Sequence, residues 1–268
     1  MWAVIVHTLR ESIHRRMGLA LMTIAVVVAL IYLSFSSFTT GPDGAQVAKI
    51  GRLTYEKPAE LLRDTYQLLI QVNANLWILL GIFAAAPSLA TYLEKGWADL
   101  TLSKGIPRWQ MLGGRYVGSL LIYVVSIFLL AGVPALYFWL RTGIAPGRFL
   151  AALVILAFNF AVLLSTIALV NVVIPNAGLA IMTGFAQYMI GQMLAGREML
   201  YRVIEAQWAR FLLDWLYRIL PKHPEISQTA TRYFATGEIA DWWPIWTSAV
   251  FAACALALAL WLMHRKSF

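Results

Sequence analysis

The run "FLAALVILAFNFAVLLSTIALVN", residues 149–171, is apolar along its length and holds no Asp, Glu, Lys or Arg. Its apolar residues are continuous, not alternating, which suits a helix in lipid and excludes a barrel strand. A hydrocarbon core about 30 Å thick takes roughly 20 residues of helix. Five more runs of this kind stand near 19–38, 72–93, 116–140, 177–195 and 244–263. Lipid gives backbone groups no partner, so each run must close its own hydrogen bonds as a helix. The expected fold is an all-α integral membrane protein with six transmembrane helices, one domain over residues 1–268.

Composition agrees. Of 268 residues 60% are hydrophobic and 13% charged, with a mean hydropathy of +0.71. A soluble domain carries about 25% charged residues. The net charge of +8 is spread among the loops and implies contact with anionic membrane lipids, not nucleic acid. The first run is too long for a cleaved signal segment and reads as a retained span. Cys254, the single cysteine, has no partner for an internal disulfide and reads as a small packing residue.

With the N-terminus in the cytoplasm, nine Lys and Arg lie inside and twelve in the longer outside loops. Arg15 and Arg16, directly against the first span, favour that orientation. Residues 2–17 form an expected amphipathic helix, with Trp2, Val6, Leu9, Ile13 and Met17 on one face. The "TTGPDGAQ" start of 39–57 reads as a turn-rich loop, and Pro58 as the opening of a helix that runs into the second span. Pro87 and Pro134 are positioned to kink their helices. Between the fifth and sixth spans, Leu200, Val203, Ile204, Trp208, Phe211, Leu212, Trp215 and Ile219 form an apolar stripe. They define an interfacial helix that "PKHPEI" ends. Trp242, Trp243 and Trp246 anchor the start of the last span.

Several chemistries are missing. There is no GxxxxGK[ST] phosphate loop and no HExxH zinc motif. His7, His14, His223 and His264 all fall outside the runs, and His223 reads as a solvated side chain, not a metal ligand. No acidic or basic residue sits near the centre of a run, unlike most proton- or ion-driven transporters. Neutral amides do occur there: Asn73, Asn75, Asn159, Gln187 and Gln192. They read as interhelical packing or as the lining of a path. Ala180 with Gly184, and Gly191 with Ala195, permit close helix contact.

The charged stretch "YLEKGWADLTLSKGIPRWQMLGGRY", residues 92–116, is far longer than a turn between helices needs. "WADLTLSK" suits a short helix with Trp97, Leu100 and Leu102 as anchors. Gly105 and Pro107 stop it, and "RWQMLGGRY" begins the next helix. An apolar centre with a charged rim is what a soluble partner can grip.

This stretch resembles the segment between the second and third spans of ABC type 2 transporter permeases. Glu94 and Gly96 match that family's E-x-G element. Asp99, Leu100 and Leu102 match its short helix, Ser103 and Lys104 its end. Arg108 matches its arginine, and Gly114 with Arg115 its Gly-Lys position. The resemblance implies a cytoplasmic coupling segment, 94–115, that docks on a separate ATPase. Glu94, Gly96, Trp97, Asp99, Leu100, Leu102, Ser103, Lys104, Arg108 and Arg115 are then the contact and anchor residues. Residues 1–18 resemble the family's elbow helix, and 196–243 its external region. The implied function is the permease subunit of a bacterial ABC exporter in the inner membrane, with both termini cytoplasmic. The chain would be no enzyme itself and bind no cofactor. Implied partners are two ATPase subunits that bind ATP and Mg, a second permease copy, membrane lipids, and an envelope protein at the external region. Asn73, Asn75, Asn159, Gln187 and Gln192 are candidates for the path. A stand-alone secondary transporter or channel is the alternative.

Overall fold

The computed structural model describes residues 1–14, 17–40, 46–50, 53–55, 57–90, 105, 107–202, 204 and 206–265. Helices dominate: α1 (Trp2–His14), α2 (Met17–Ser34), α3 (Pro58–Val72), α4 (Ile78–Ala90), α5 (Arg108–Ile127), α6 (Val133–Thr142) and α7 (Gly147–Val173). They continue with α8 (Ala177–Ala195), α9 (Arg197–Leu200), α10 (Gln207–Ile219), α11 (His223–Thr236) and α12 (Trp243–Arg265). Among the described residues four helices are long and apolar enough to cross a membrane: Ala59–Ala90, Arg108–Thr142, Gly147–Val173 and Trp243–Arg265. The chain is thus a helical protein compatible with membrane embedding. The other two apolar runs are also helical. The apolar stretch of α2 is shorter, and α8 is diluted by Gln187 and Gln192.

The fold is not purely helical. Among the described residues there are three antiparallel strands, β1 (Ser36–Thr40), β2 (Gln46–Ile50) and β3 (Leu53–Tyr55). β1 begins inside the first apolar run, whose helix stops at Ser34 and not at 38 as expected, and the other two lie in the region read as a loop. Ser36 pairs with Ile50, Thr40 with Gln46, and Ala48 with Tyr55. Pairs this short carry little period-2 signal, so the turn residues dominated the sequence pattern. Pro58 does open α3, where its missing N–H costs nothing.

Two long helices each contain a π-turn, at Asn73–Trp77 and at Phe128–Gly132. The second has a direct cause. Pro134 has no N–H to give the Leu130 carbonyl, so the ladder shifts ahead of it.

The π-turns also mark where the helices pass between two cores. One core gathers Trp77, Ile78, Ile82, Tyr123, Ile127, Phe160 and Ile167. The other gathers Leu62, Tyr66, Ile70, Phe138, Phe149 and Leu153. Residues before the first π-turn serve the second core and residues after it the first; at the second π-turn the order reverses. Aromatic stacking fixes both cores, with Tyr123 on Phe160 at 3.8 Å and Tyr66 on Phe149 at 4.3 Å.

α7 is central, packed by α4, α5, α8, α11 and α12. The expected small-residue contact on α8 is present. A methyl at Gly184 would come within 2.7 Å of Ile167 on α7 and 2.9 Å of Ile82 on α4. Asn176 starts α8 by accepting from the Leu179 N–H at 3.0 Å. α12 lies at the edge: 17% of its apolar window is buried, against 50–56% in the other three long helices. Cys254 is exposed on α12, so it does not pack the interior as expected.

Candidate functional site

α11 was not foreseen as part of the interior. Its sequence, "HPEISQTATRYFAT", is polar. Yet His223, Pro224, Ile226, Thr229 and Ala230 are buried, and the helix packs along α7. Its start lies beside Asn159, while Phe234 near its end meets Phe149. Asn159 is twelve residues into α7, roughly 18 Å along the axis at 1.5 Å per residue. α11 therefore begins about halfway along the bundle and runs back to the end where α7 starts. Pro224 in the first turn and Gly237 at the left-handed exit (φ 83) bound it.

His223 is fully buried, not solvated as its sequence position suggested. Its Nδ1 is 2.6 Å from Asn159 Oδ1. An amide oxygen only accepts, so Nδ1 carries the proton. Nε2 is then the acceptor for the Gln187 amide N–H at 3.0 Å. The Asn159 amide N–H donates in turn to the His223 carbonyl and to Ser227 Oγ, each at 3.1 Å. Both ring nitrogens are satisfied in the neutral form. Burial, with no carboxylate to offset it, pushes the imidazole pKa down to about 3. Lys222 beside it is also held below its usual value by burial.

Above this node lies a cavity of about 460 Å³, lined by Gln71, Asn75, Gln192, Ser227, Gln228, Arg232 and neighbours. Tyr188 Oη lies 3.2 Å from both Asn75 Oδ1 and the Ala74 carbonyl, joining α8 to the first π-turn. The structure thus brings four of the five amides together. Asn75 and Gln192 line the cavity; Asn159 and Gln187 hold its floor. Asn73 is buried and donates to the Leu69 carbonyl at 2.8 Å, a local role in the π-turn. Sequence reasoning missed Gln71, Ser227, Gln228, Thr231 and Arg232. The available signal was Ile226, Ala230 and Phe234 at a spacing of four, bracketed by Pro224 and Gly237.

At the other end of the bundle lie the flanks of the 92–116 stretch. Glu94, Gly96, Trp97, Asp99, Leu100, Leu102, Ser103 and Lys104 fall outside the described residues. Gly105 has φ 73, a turn conformation that favours glycine, and Pro107 precedes α5. Arg108 Nη1 reaches the last turn of α12 and donates to the carbonyls of Met263 at 2.9 Å and His264 at 3.0 Å. The N-terminal ammonium donates to Gln110 Oε1 at 2.9 Å. Both termini and the start of α5 therefore meet at one end.

Arg115 is 2% exposed. It forms an ion pair with Glu11 of α1, and its Nη1 donates to the Ser88 carbonyl at 3.4 Å. Its Nη2 lies 3.4 Å from His7 Nδ1. A Gly-x-x-x-Gly step lets α1 approach. A methyl at Gly114 would lie 2.7 Å from Val4 Cβ, and one at Gly118 2.7 Å from Thr8 Cβ. The buried face of α1 is therefore Val4, Ile5, Thr8 and Ser12. Of the apolar stripe read from the sequence, Trp2 is 73% exposed and Val6 and Leu9 are half-buried; the side chains of Ile13 and Met17 lie outside the described residues.

α10 buries no residue. Trp208, Phe211, Leu212, Trp215 and Ile219 of the expected stripe are exposed. Arg197 lies 3.6 Å over the Tyr217 ring, and Tyr217 Oη bonds Glu225, tying α9 to α11 through α10. Among the described residues no group of acidic, His and Cys side chains is placed to hold a metal.

No family model matches this chain, and no curated protein does.

Proposed function

We propose that this chain is the permease subunit of an ATP-driven exporter of the ABC type 2 kind. In this reading α2 and α8 complete six crossings, the termini are cytoplasmic, and the membrane is the bacterial inner membrane. A second permease copy and two ATPase subunits complete the machine. ATP and Mg belong to the ATPases; this chain supplies the path and the lever.

The observation that carries the reading is the fastening of α5 directly after the coupling-like stretch. Arg108 ties its first turn to the end of α12, and Arg115 ties its second to α1. A push on 94–104 would pass into three helices at once. The meeting of both termini at this end supports an even number of crossings. The amide-lined cavity toward the opposite end supports a polar route. As a hypothesis, Trp97, Asp99, Leu100 and Leu102 contact the ATPase, while Arg108 and Arg115 anchor.

The test is extraction of the chain from its native membrane in mild detergent, followed by mass spectrometry and an ATPase assay. A stoichiometric partner with a phosphate-binding loop, hydrolysing ATP in the complex, is the expected result. A bundle that repeatedly purifies alone and active in flux would overturn it in favour of a self-sufficient transporter or channel.

A further inference from the structure

The cavity between α3, α8 and α11 has a lining that selects by chemistry. Gln71, Asn75, Gln192 and Gln228 present amides, Ser227 and Thr231 hydroxyls, and Arg232 a guanidinium. The Gln71, Gln192 and Gln228 amides offer both donors and acceptors. The Ser227 and Thr231 hydroxyls give their protons to the carbonyls of His223 and Ser227 and offer acceptors, and the Asn75 amide donates to the Gln71 carbonyl. A ligand matching that pattern carries many groups that also do both, which is the property of alcohols. Among the described residues of the lining there is no carboxylate to attract a cation and no aromatic ring to stack on a flat ligand. Arg232 is the one charge there, and it forms no ion pair among the described residues. The volume of about 460 Å³ falls in the range of small-ligand sites, roughly 300–1,000 Å³.

The floor is built to stay fixed. His223 and Asn159 hold each other through two hydrogen bonds, and Tyr188 pins the opposite wall. A preorganised polar wall costs a ligand less to order. Gln187 Oε1 is buried with no hydrogen-bond partner among the described residues.

We propose that this cavity binds a polyhydroxylated ligand with one anionic group, of the sugar-phosphate type, either free or as the headgroup of a lipid. The anion sits on Arg232 and the hydroxyls on Gln71, Asn75, Gln192 and Gln228. This names a cargo class for the proposed permease, and its place in transport rests on that reading; the binding itself does not.

The test uses the full chain in phosphatidylcholine nanodiscs. Glucose 1-phosphate, glucose and inorganic phosphate are titrated by calorimetry. In parallel, unfolding midpoints are compared in discs doped with phosphatidylinositol or with phosphatidylglycerol. Glucose 1-phosphate should bind saturably and more tightly than either glucose or phosphate, or phosphatidylinositol should stabilise beyond phosphatidylglycerol. The first response identifies a free ligand, the second a headgroup. Arg232→Gln should weaken the response by about tenfold, and Gln228→Leu should weaken it as well. Arg232 is exposed, so its variant folds, and an unchanged ligand-free midpoint verifies this. Absence of both responses, equal binding of inorganic phosphate, or indifference to Arg232→Gln would overturn the assignment. Binding without a co-purifying ATPase would leave the site and remove the permease; an ATPase without binding would do the reverse.

Discussion

His223 and Asn159, 64 residues apart, bond each other twice: ring Nδ1 to amide oxygen at 2.6 Å, and amide nitrogen to the His223 carbonyl at 3.1 Å. This pair sets the depth to which α11 enters the bundle. Asn159 thus joins two helices, the packing role read for it from the sequence; the cavity that the pair supports is the proposed route.

Replacing Asn159 by Leu keeps the volume close but leaves the buried ring N–H without its acceptor, while the His223 carbonyl keeps the Ser227 hydroxyl as a donor. A buried group stranded in this way costs about 1–3 kcal/mol, so the variant should lose roughly that much. Unfolding in detergent at pH 7.5 measures it. A loss below about 0.5 kcal/mol would mean that α11 is held by its apolar contacts alone.

The same node makes stability depend on pH. The unfolded imidazole takes a proton near pH 6.5, while the folded one resists it down to about 3. Between those values the unfolded state binds more protons, so stability is full above about 6.5 and falls as pH drops toward 3. His223→Gln should flatten this acid limb. Unfolding midpoints from pH 7.5 to 4 for both proteins provide the check, and identical slopes would show that the limb arises elsewhere.

Arg115→Gln takes from Glu11 its guanidinium partner at a poorly solvated site, with His7 Nδ1 at 3.8 Å remaining beside it. Removal of one partner from a buried pair costs about 3–5 kcal/mol, and the 16% exposure of the Glu11 side chain places this case at the low end, about 3. The double variant Arg115→Met, Glu11→Leu should lose less than Arg115→Gln alone. A double-mutant cycle on unfolding reads the coupling, and simple additivity would show that the pair contributes nothing.

Gly118→Val puts branched carbons where Thr8 already sits, since a single methyl would lie 2.7 Å from Thr8 Cβ. Such overpacking costs typically about 1–3 kcal/mol, and α1 should come away from α5. Limited proteolysis should then cut the first 14 residues faster than in the parent chain. Unchanged cleavage would show that α1 shifts without detaching.

Leu100→Asp tests the lever in the proposed complex. The variant should reach the membrane normally, yet ATP hydrolysis should no longer drive export. Export at the parental rate would remove Leu100 from the contact.

The apolar runs were legible because a lipid-facing helix needs continuous apolar sequence, and each of the six indeed forms a helix. The approach of α8 to its neighbours was legible from Ala180 and Gly184, since small residues advertise contact. His223 was not. Nothing in "PKHPEI" shows that three side chains from α7, α8 and α11 will enclose it, because that burial is made by partners distant in sequence. The face of α1 was misread for a related reason. Glycines 114 and 118 on another helix seat Val4 and Thr8, so steric fit chose the face. The proposed ATPase contact at 94–104 rests on its sequence resemblance.

Each π-turn between the two cores has the effect of a one-residue insertion that the helix has absorbed. Deleting one residue from Phe128–Gly132 would close the wide turn to an ordinary one and leave the flanking segments near their present phase. Deleting one residue a turn away would instead rotate everything beyond it by about 100°, and Phe138 would swing away from Tyr66, with which it now makes an edge contact at 6.3 Å. In this chain, length is under looser constraint at these two mid-helix points than along the regular helix on either side of them.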